Sequence, residues 1–234
     1  MTTKVIVVVG ATDGVGQSLC NILAAQGHIV IGVGRSDEKL AALQGELLLH
    51  SPESLTLSCD VRIPSQVTQA MSDITAISPS VDALVYCAGV GYFGDASSFD
   101  LQLWNETLET NLTGLFLWTK EVIPHLSDSS NLIAISSGAG RQGIGGLSAY
   151  CASKFGLMGF MESVAHELGP RTKVSTVVPG SIFTNWGEPL EEKRTKRESG
   201  TAKYLEPKDV AEAVIYILNQ PSRAHTQEMN IWPH

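Results

Sequence analysis

Charge is scarce in this sequence of 234 residues: Asp, Glu, Lys and Arg make up 17% of it, and cations are the scarcer sign, 16 against 24 acids for a formal net charge of -8. A field of that sign repels phosphodiester backbones and anionic lipid surfaces, so neither nucleic acid nor membrane is an expected partner. No apolar run approaches the roughly 20 residues of a membrane span. The N-terminus, one Lys and then the short apolar run 5–9, has no signal-peptide layout, so a cytoplasmic location is expected. The four cysteines, Cys20, Cys59, Cys87 and Cys151, include no CxxC pair, and no two of the six histidines stand at HxxxH spacing. Structural disulfides and a metal site are therefore not expected.

Against these shortages stands a hydrophobic content of 43%, which excludes a disordered chain and supplies a sheet covered on both faces. The length sits at the upper end of what one core supports, so a single domain over 1–234 is expected. Short β-branched runs at 4–9, 28–33, 54–58, 82–86, 131–136 and 173–178 lack polar alternation, as strands buried on both faces do. Helical spacing occupies 15–26, 37–49, 64–77, 101–126, 149–168 and 207–218. The alternation predicts a Rossmann-like, doubly wound parallel α/β sheet of about seven strands with helices on both faces. Ser36 before Asp37 and Glu38, and Pro207 to Asp209, are start signals for their helices. The segment 185–201 breaks the composition and is expected to leave the domain surface as an excursion.

The first strand runs into Gly10-Ala11-Thr12-Asp13-Gly14-Val15-Gly16 and then a helix. Such a turn allows positive φ, lets backbone approach a pyrophosphate and aims unpaired helix N–H groups at it. Glycines alone describe any tight turn; the strand-then-helix context is what favours a nucleotide. About twenty residues on, where an acid would bind the ribose hydroxyl of NAD, the chain has Gly34-Arg35-Ser36. A planar cation and a hydroxyl suit a 2′-phosphate, so NADP(H) is expected over NAD(H), with the nearby Asp37 as the counter-argument and a solvated strand-end charge as the bland alternative.

Tyr150 and Lys154, at i and i+4, share one helix face. A nearby cation favours the phenolate, which would make Tyr150 a general acid to a carbonyl or a base to an alcohol. Ser137 closes a strong strand thirteen residues earlier, at the sheet end where such folds build sites, and its hydroxyl suits a developing oxyanion. Asn111 is a polar residue inside an otherwise apolar helical stretch, which also fits a helical kink.

Together these residues resemble the short-chain dehydrogenases/reductases over nearly the whole chain. The spacing Gly10-x3-Gly14-x-Gly16 looks like that family's cofactor turn, although Val9 stands where the family usually has Thr. Cys59-Asp60-Val61 resembles its Asp-Val pair beside the adenine, and Ala88-Gly89 the end of its Asn-Asn-Ala-Gly motif, with Tyr86 and Cys87 in place of both Asn residues. Pro179-Gly180-Ser181-Ile182-Phe183-Thr184 resembles the segment along the nicotinamide, implying carboxamide contact at Ile182 and a cap by Thr184. The resemblance completes a tetrad: Tyr150 transfers the proton, Lys154 lowers its pKa and orients the ribose, Ser137 polarises the oxygen, and Asn111 holds a water linking Lys154 to solvent. It implies reversible hydride transfer between nicotinamide and a small carbonyl or secondary alcohol, in a homodimer or homotetramer paired through 101–126 and 149–168.

Substrate choice is expected in 91–99, 138–148 and the lid 185–201. Lys193, Arg194, Lys196 and Arg197 suit an anionic substrate such as a hydroxy acid, while their mixture with Glu188, Glu191, Glu192 and Glu198 favours an ordinary solvated helix. Trp186 and Phe93 suggest a small pocket, and the ending 228–233 resembles the family branch of small 3-hydroxy acid dehydrogenases. A non-catalytic dinucleotide-binding redox sensor is the alternative; such proteins typically lose the Tyr or the Lys. A sugar-nucleotide epimerase or dehydratase generally needs a larger substrate domain and a different glycine spacing.

Overall fold

Residues 3–187 and 190–234 are described by the computed structural model. The first strand, β1 (Val5–Val9), accounts for the unbroken apolar runs: Ile6 and Val8 pack on one face of the sheet, Val7 and Val9 on the other, and all four are fully buried. A strand between two helical layers has no outward face for polar residues. β2 (Ile29–Gly34), β3 (Leu55–Ser58), β4 (Val81–Tyr86), β5 (Leu126–Ile135), β6 (Thr172–Pro179) and β7 (Glu228–Ile231) complete one sheet among the described residues, in the order β3-β2-β1-β4-β5-β6-β7. Every neighbouring pair is parallel. This is the doubly wound α/β fold expected.

One core joins the sheet to α1 (Gly14–Ala25), α2 (Asp37–Leu48) and α8 (Pro207–Leu218), through Leu19, Leu23, Leu43, Leu47 and Val214. The opposite core joins it to α3 (Pro64–Ile77), α5 (Gly114–Val122) and α6 (Ser148–Leu168), through Ile74, Leu115, Trp118 and Met161. The caps are made: Ser36 Oγ accepts from Lys39 N at 3.4 Å, and Glu206 and Asp209 form a reciprocal capping box at α8. Because the chain moves from β1 to one side of the sheet and returns through β4 to the other, a crevice opens beyond the carboxyl ends of β1 and β4.

Two expectations need correcting. The helix over 101–126 is interrupted: α4 (Leu101–Leu108) passes into a π-turn, Glu109–Thr113, before α5 begins, and a short 3-10 turn at Pro124 ends the run. The wider turn carries Asn111. β5 starts at Leu126, earlier than its apolar stretch: Leu126 pairs with Val81, and the polar residues 127–130 fall at a register shift before Asn131 pairs with Ala83. The excursion 185–201 contains a helix, α7 (Leu190–Glu198), with Glu191 and Glu192 in its first turn and Lys196 and Arg197 in its last, as the helix dipole favours. Glu188 lies outside the described residues.

Candidate active site

At the carboxyl end of β1 the glycine turn folds back on β2, with the N–H groups of Gly10 and Ala11 both donating to Val33 O at 2.8 and 2.9 Å. Val9, lacking the hydroxyl of the family pattern, is held by backbone: Cys87 N donates to its carbonyl at 2.8 Å. Gly10 and Gly14 have φ of +83° and +50°, the left-handed region that favours glycine. A Cβ on Gly16 would lie 2.1 Å from Gly10 O. The turn is thus bare of side chains where the first N–H groups of α1 point out, which fits a dinucleotide pyrophosphate. Asp13 caps α1 from the rim; burial pushes its carboxyl up, but Lys39, bonded at 2.9 Å, and the Gly14 N–H outweigh that and hold it low.

A cleft of about 850 Å³ extends from this turn along the carboxyl ends of the strands. At its β2 end stand Arg35, Ser36 and Lys39, while Asp37 is not in the lining. Asp13 is the one carboxylate among the described lining residues, and Lys39 holds it. Lys39 was missed by sequence reasoning; its position three residues after the cap Ser36 was the available signal. Val61 lines the cleft but Asp60 does not. The Asp60 carboxylate accepts from Arg62 Nε and Nη2, at 2.6 Å for the shortest bond, and these bonds keep its pKa low. Arg62 in turn reaches Glu106 at 3.3 Å, with Arg35 4.0 Å from the same carboxylate.

Tyr150 and Lys154 project from the first turns of α6 into the middle of the cleft, opposite Ser137 and beside Ala88 and Gly89. Burial pushes the Tyr150 phenol up to about 12, against the pull of a hydrogen bond with Ser137. Burial also pushes Lys154 down to about 8, with the Cys87 thiol opposing. Lys154 Nζ donates to Ile135 O at 2.9 Å and lies 5.6 Å from the centre of the Tyr150 ring. The expected lowering of the phenol by the ammonium is therefore not realised in this structure; desolvation outweighs it.

Asn111 is fully buried and outside the cleft lining. Its Oδ1 accepts from Val90 N at 2.8 Å, and its Nδ2 donates to Val90 O at 2.8 Å and to Ser153 Oγ at 2.9 Å. The side chain fastens the loop after β4 to α6. Tyr86, one of the two departures from the Asn-Asn-Ala-Gly pattern, donates its buried hydroxyl to Thr110 O at 2.6 Å and so anchors the π-turn itself. That role had no signal beyond a Tyr at the end of a buried strand.

Beyond β6, Pro179, Gly180, Ile182 and Thr184 line the third wall. Ile182 bridges to Leu205, and a Cβ on Gly14 would meet Thr184 Cγ2 at 3.2 Å, so this segment closes over the glycine turn. Trp186 lies against Tyr150 with ring centres 4.6 Å apart. Lys193 is 5% exposed and donates to the carbonyls of Ile182, Thr184 and Trp186 at 3.4, 2.9 and 2.6 Å. It is neither a solvated charge nor open to an anion. Arg194, Lys196 and Arg197 pair with Glu191, Glu192 and Glu206, as a solvated helix does. Among the described residues no helix is long and apolar enough to cross a membrane, and no cluster of three metal-ligating side chains occurs.

A family model described as short chain dehydrogenase matches residues 4–195. The chain is 32% identical to carbonyl reductase family member 4 of Danio rerio, over 94% of this chain and 92% of that protein. It is also 32% identical to a glycine betaine reductase of Emericella nidulans, where it covers 100% of this chain but spans only 19% of the relative's length. A solved structure of an actinorhodin polyketide ketoreductase variant with NADPH superposes with a TM-score of 0.85 at 29% identity, over 97% of this chain and 95% of that one. With most of its length matched by the family model and its sheet, glycine turn and cleft built to that plan, the chain belongs to the short-chain dehydrogenase/reductase family of oxidoreductases.

Proposed function

We propose that the protein is an NADP-dependent carbonyl reductase, running in reverse as an alcohol dehydrogenase. The observation that carries this reading is the convergence of Tyr150, Ser137 and Lys154 in the cleft that the glycine turn opens. Reduced nicotinamide, when bound, supplies the hydride. Tyr150 gives its phenolic proton to the carbonyl oxygen as negative charge develops there, and takes it back from an alcohol in the reverse direction. A phenol raised to about 12 rests as the acid, the form that carbonyl reduction needs. Ser137, across the cleft from that phenol, donates to the same oxygen. Lys154 holds a positive charge beside the pair and orients the cofactor ribose, and Asn111 keeps the π-turn and α6 in register.

NADP(H) is favoured over NAD(H) by Arg35 and Lys39 flanking Ser36, two cations at the end of the cleft where an acid would be needed for a ribose hydroxyl. A relative solved with NADPH supports a nicotinamide cofactor. Gly10 to Gly16 would hold the pyrophosphate, Val61, Ala88 and Gly89 the adenine side, and Pro179 to Thr184 the nicotinamide, with 185–201 as the lid. Exposed Leu101, Phe116 and Phe155 on α4, α5 and α6 support pairing of two or four copies through that face.

The test is titration with NADPH and with NADH, followed on the same sample by NADPH oxidation with small ketones and aldehydes. Tighter NADPH binding with turnover is the expected result. Tight binding without turnover on any carbonyl would favour a non-catalytic sensor, and no binding of either dinucleotide would refute both.

A further inference from the structure

The walls around Tyr150 restrict which carbonyl compounds fit. Phe93, Ile144, Leu147, Trp186 and Trp232 all border the cleft, and Phe93, Ile144 and Trp232 are exposed despite their size. Backbone geometry gathers them. Gly94 N donates to Gly146 O at 2.9 Å, joining the loop of Phe93 to the turn before α6. Glycines make room for the rings: a Cβ on Gly91 would strike the Trp186 indole at 2.6 Å and the Tyr150 ring at 2.8 Å. Likewise, a Cβ on Gly138 or Gly180 would meet the Trp232 indole at 2.7 or 2.8 Å, and one on Gly187 would come within 3.5 Å of Phe93. Large apolar side chains left open to water at the mouth of a cleft mark a surface built for an apolar ligand.

Charge near this mouth is already committed. An ammonium has three N–H donors, and Lys193 directs its Nζ at three carbonyl oxygens. Arg141 pairs with Glu228 and Arg197 with Glu206, while Lys154, bonded to Ile135 O, is the cation that the reductase reading gives to the cofactor ribose. An anionic substrate would lose water against aromatic rings and would have to share these cations with the partners they already hold.

We infer that the site takes a neutral, largely apolar ketone or aldehyde, or the matching alcohol, with its hydrocarbon part against Trp186 and Phe93, and that it rejects carboxylates. The inference rests on the reductase reading and agrees with the solvated-helix reading of the lid cations over that of an anionic substrate. The probes are levulinate and its ethyl ester, which present the same ketone with and without charge, together with benzylacetone. With NADPH saturating, ethyl levulinate and benzylacetone should show kcat/KM at least about tenfold above levulinate. Trp186→Ala should cost about tenfold in kcat/KM for benzylacetone, through KM, while NADPH affinity stays unchanged. Benzylacetone should also quench tryptophan fluorescence of the NADP-loaded protein, and Trp186→Ala should lose that quench. Levulinate used as well as its ester, or turnover of neither neutral compound by a protein that binds NADPH, would overturn the inference. Absence of NADPH binding would instead overturn the reductase reading on which it stands.

Discussion

Replacing Lys154 by Met should make the cofactor-free protein more stable at neutral pH and less stable at high pH. In the folded chain the ammonium is 3% exposed and its pKa is pushed from 10.5 down to about 8. A lysine with a depressed folded pKa binds fewer protons folded than unfolded, so its penalty is complete below about pH 8 and fades as pH rises toward 10.5. The difference in pKa corresponds to about 3 kcal/mol at pH 7, falling to about 2 at pH 9 and under about 1 at pH 10. Methionine fills much of the same space without charge but abandons Ile135 O, whose 2.9 Å hydrogen bond is worth about 1 kcal/mol. The variant should therefore gain about 2 kcal/mol at pH 7, with the two stability curves crossing between about pH 9 and 10. Tyr150, raised to about 12, destabilises both proteins alike once the unfolded phenol begins to ionise near pH 10, so the difference between them isolates the lysine. Urea unfolding across that pH range, with a check that m is unchanged, measures it. A variant less stable than the parent at pH 7, or a difference independent of pH, would refute burial as the cause of the lysine's shift.

Tyr150→Phe should lower kcat about a hundred- to ten-thousand-fold while NADPH affinity stays within a few-fold; fluorescence titration and steady-state kinetics separate the two. Arg35→Ala should weaken NADPH binding about ten- to a hundredfold and spare NADH, and retained tight NADPH binding would remove Arg35 from the 2′-phosphate assignment. Tyr86→Phe strips the hydroxyl from Thr110 O in a fully buried setting and should cost about 1–3 kcal/mol. Thermal unfolding should then move down by roughly 2–4 °C per kcal/mol, and an unchanged Tm would mean that the π-turn stands without that anchor.

Much of the sheet was legible because burial on both faces forbids polar alternation, leaving runs such as 5–9 that have no other common explanation. The glycine turn was legible because strand, glycines and helix occur in an order that few other structures require. The π-turn was not: helical spacing passes through 109–113 unchanged, and the wider turn is stabilised by Tyr86, far away in sequence. The start of β5 was hidden by Ser127, Asp128, Ser129 and Ser130, polar residues at the register shift between the pairs Val81–Leu126 and Ala83–Asn131. Lys193 looked like one charge in a mixed-sign helix; only the fold brings three carbonyls around it. Asp60 and Asn111 entered the candidate site by resemblance, and their side chains turn out to be occupied with Arg62, and with Val90 and Ser153, outside the cleft lining.

The sheet also acts as a partition. The turn that fits the pyrophosphate leads into α1, and the cations flanking Ser36 stand where β2 passes into α2, helices whose core lies on one side, while Tyr150, Lys154 and the π-turn rest on α5 and α6 on the other. The strands of the sheet are shared, but the helix packing behind each half is separate. Nucleotide holding and proton delivery thus draw their rigidity from different layers of the molecule, so the helical layer behind one can drift in sequence without loosening the other.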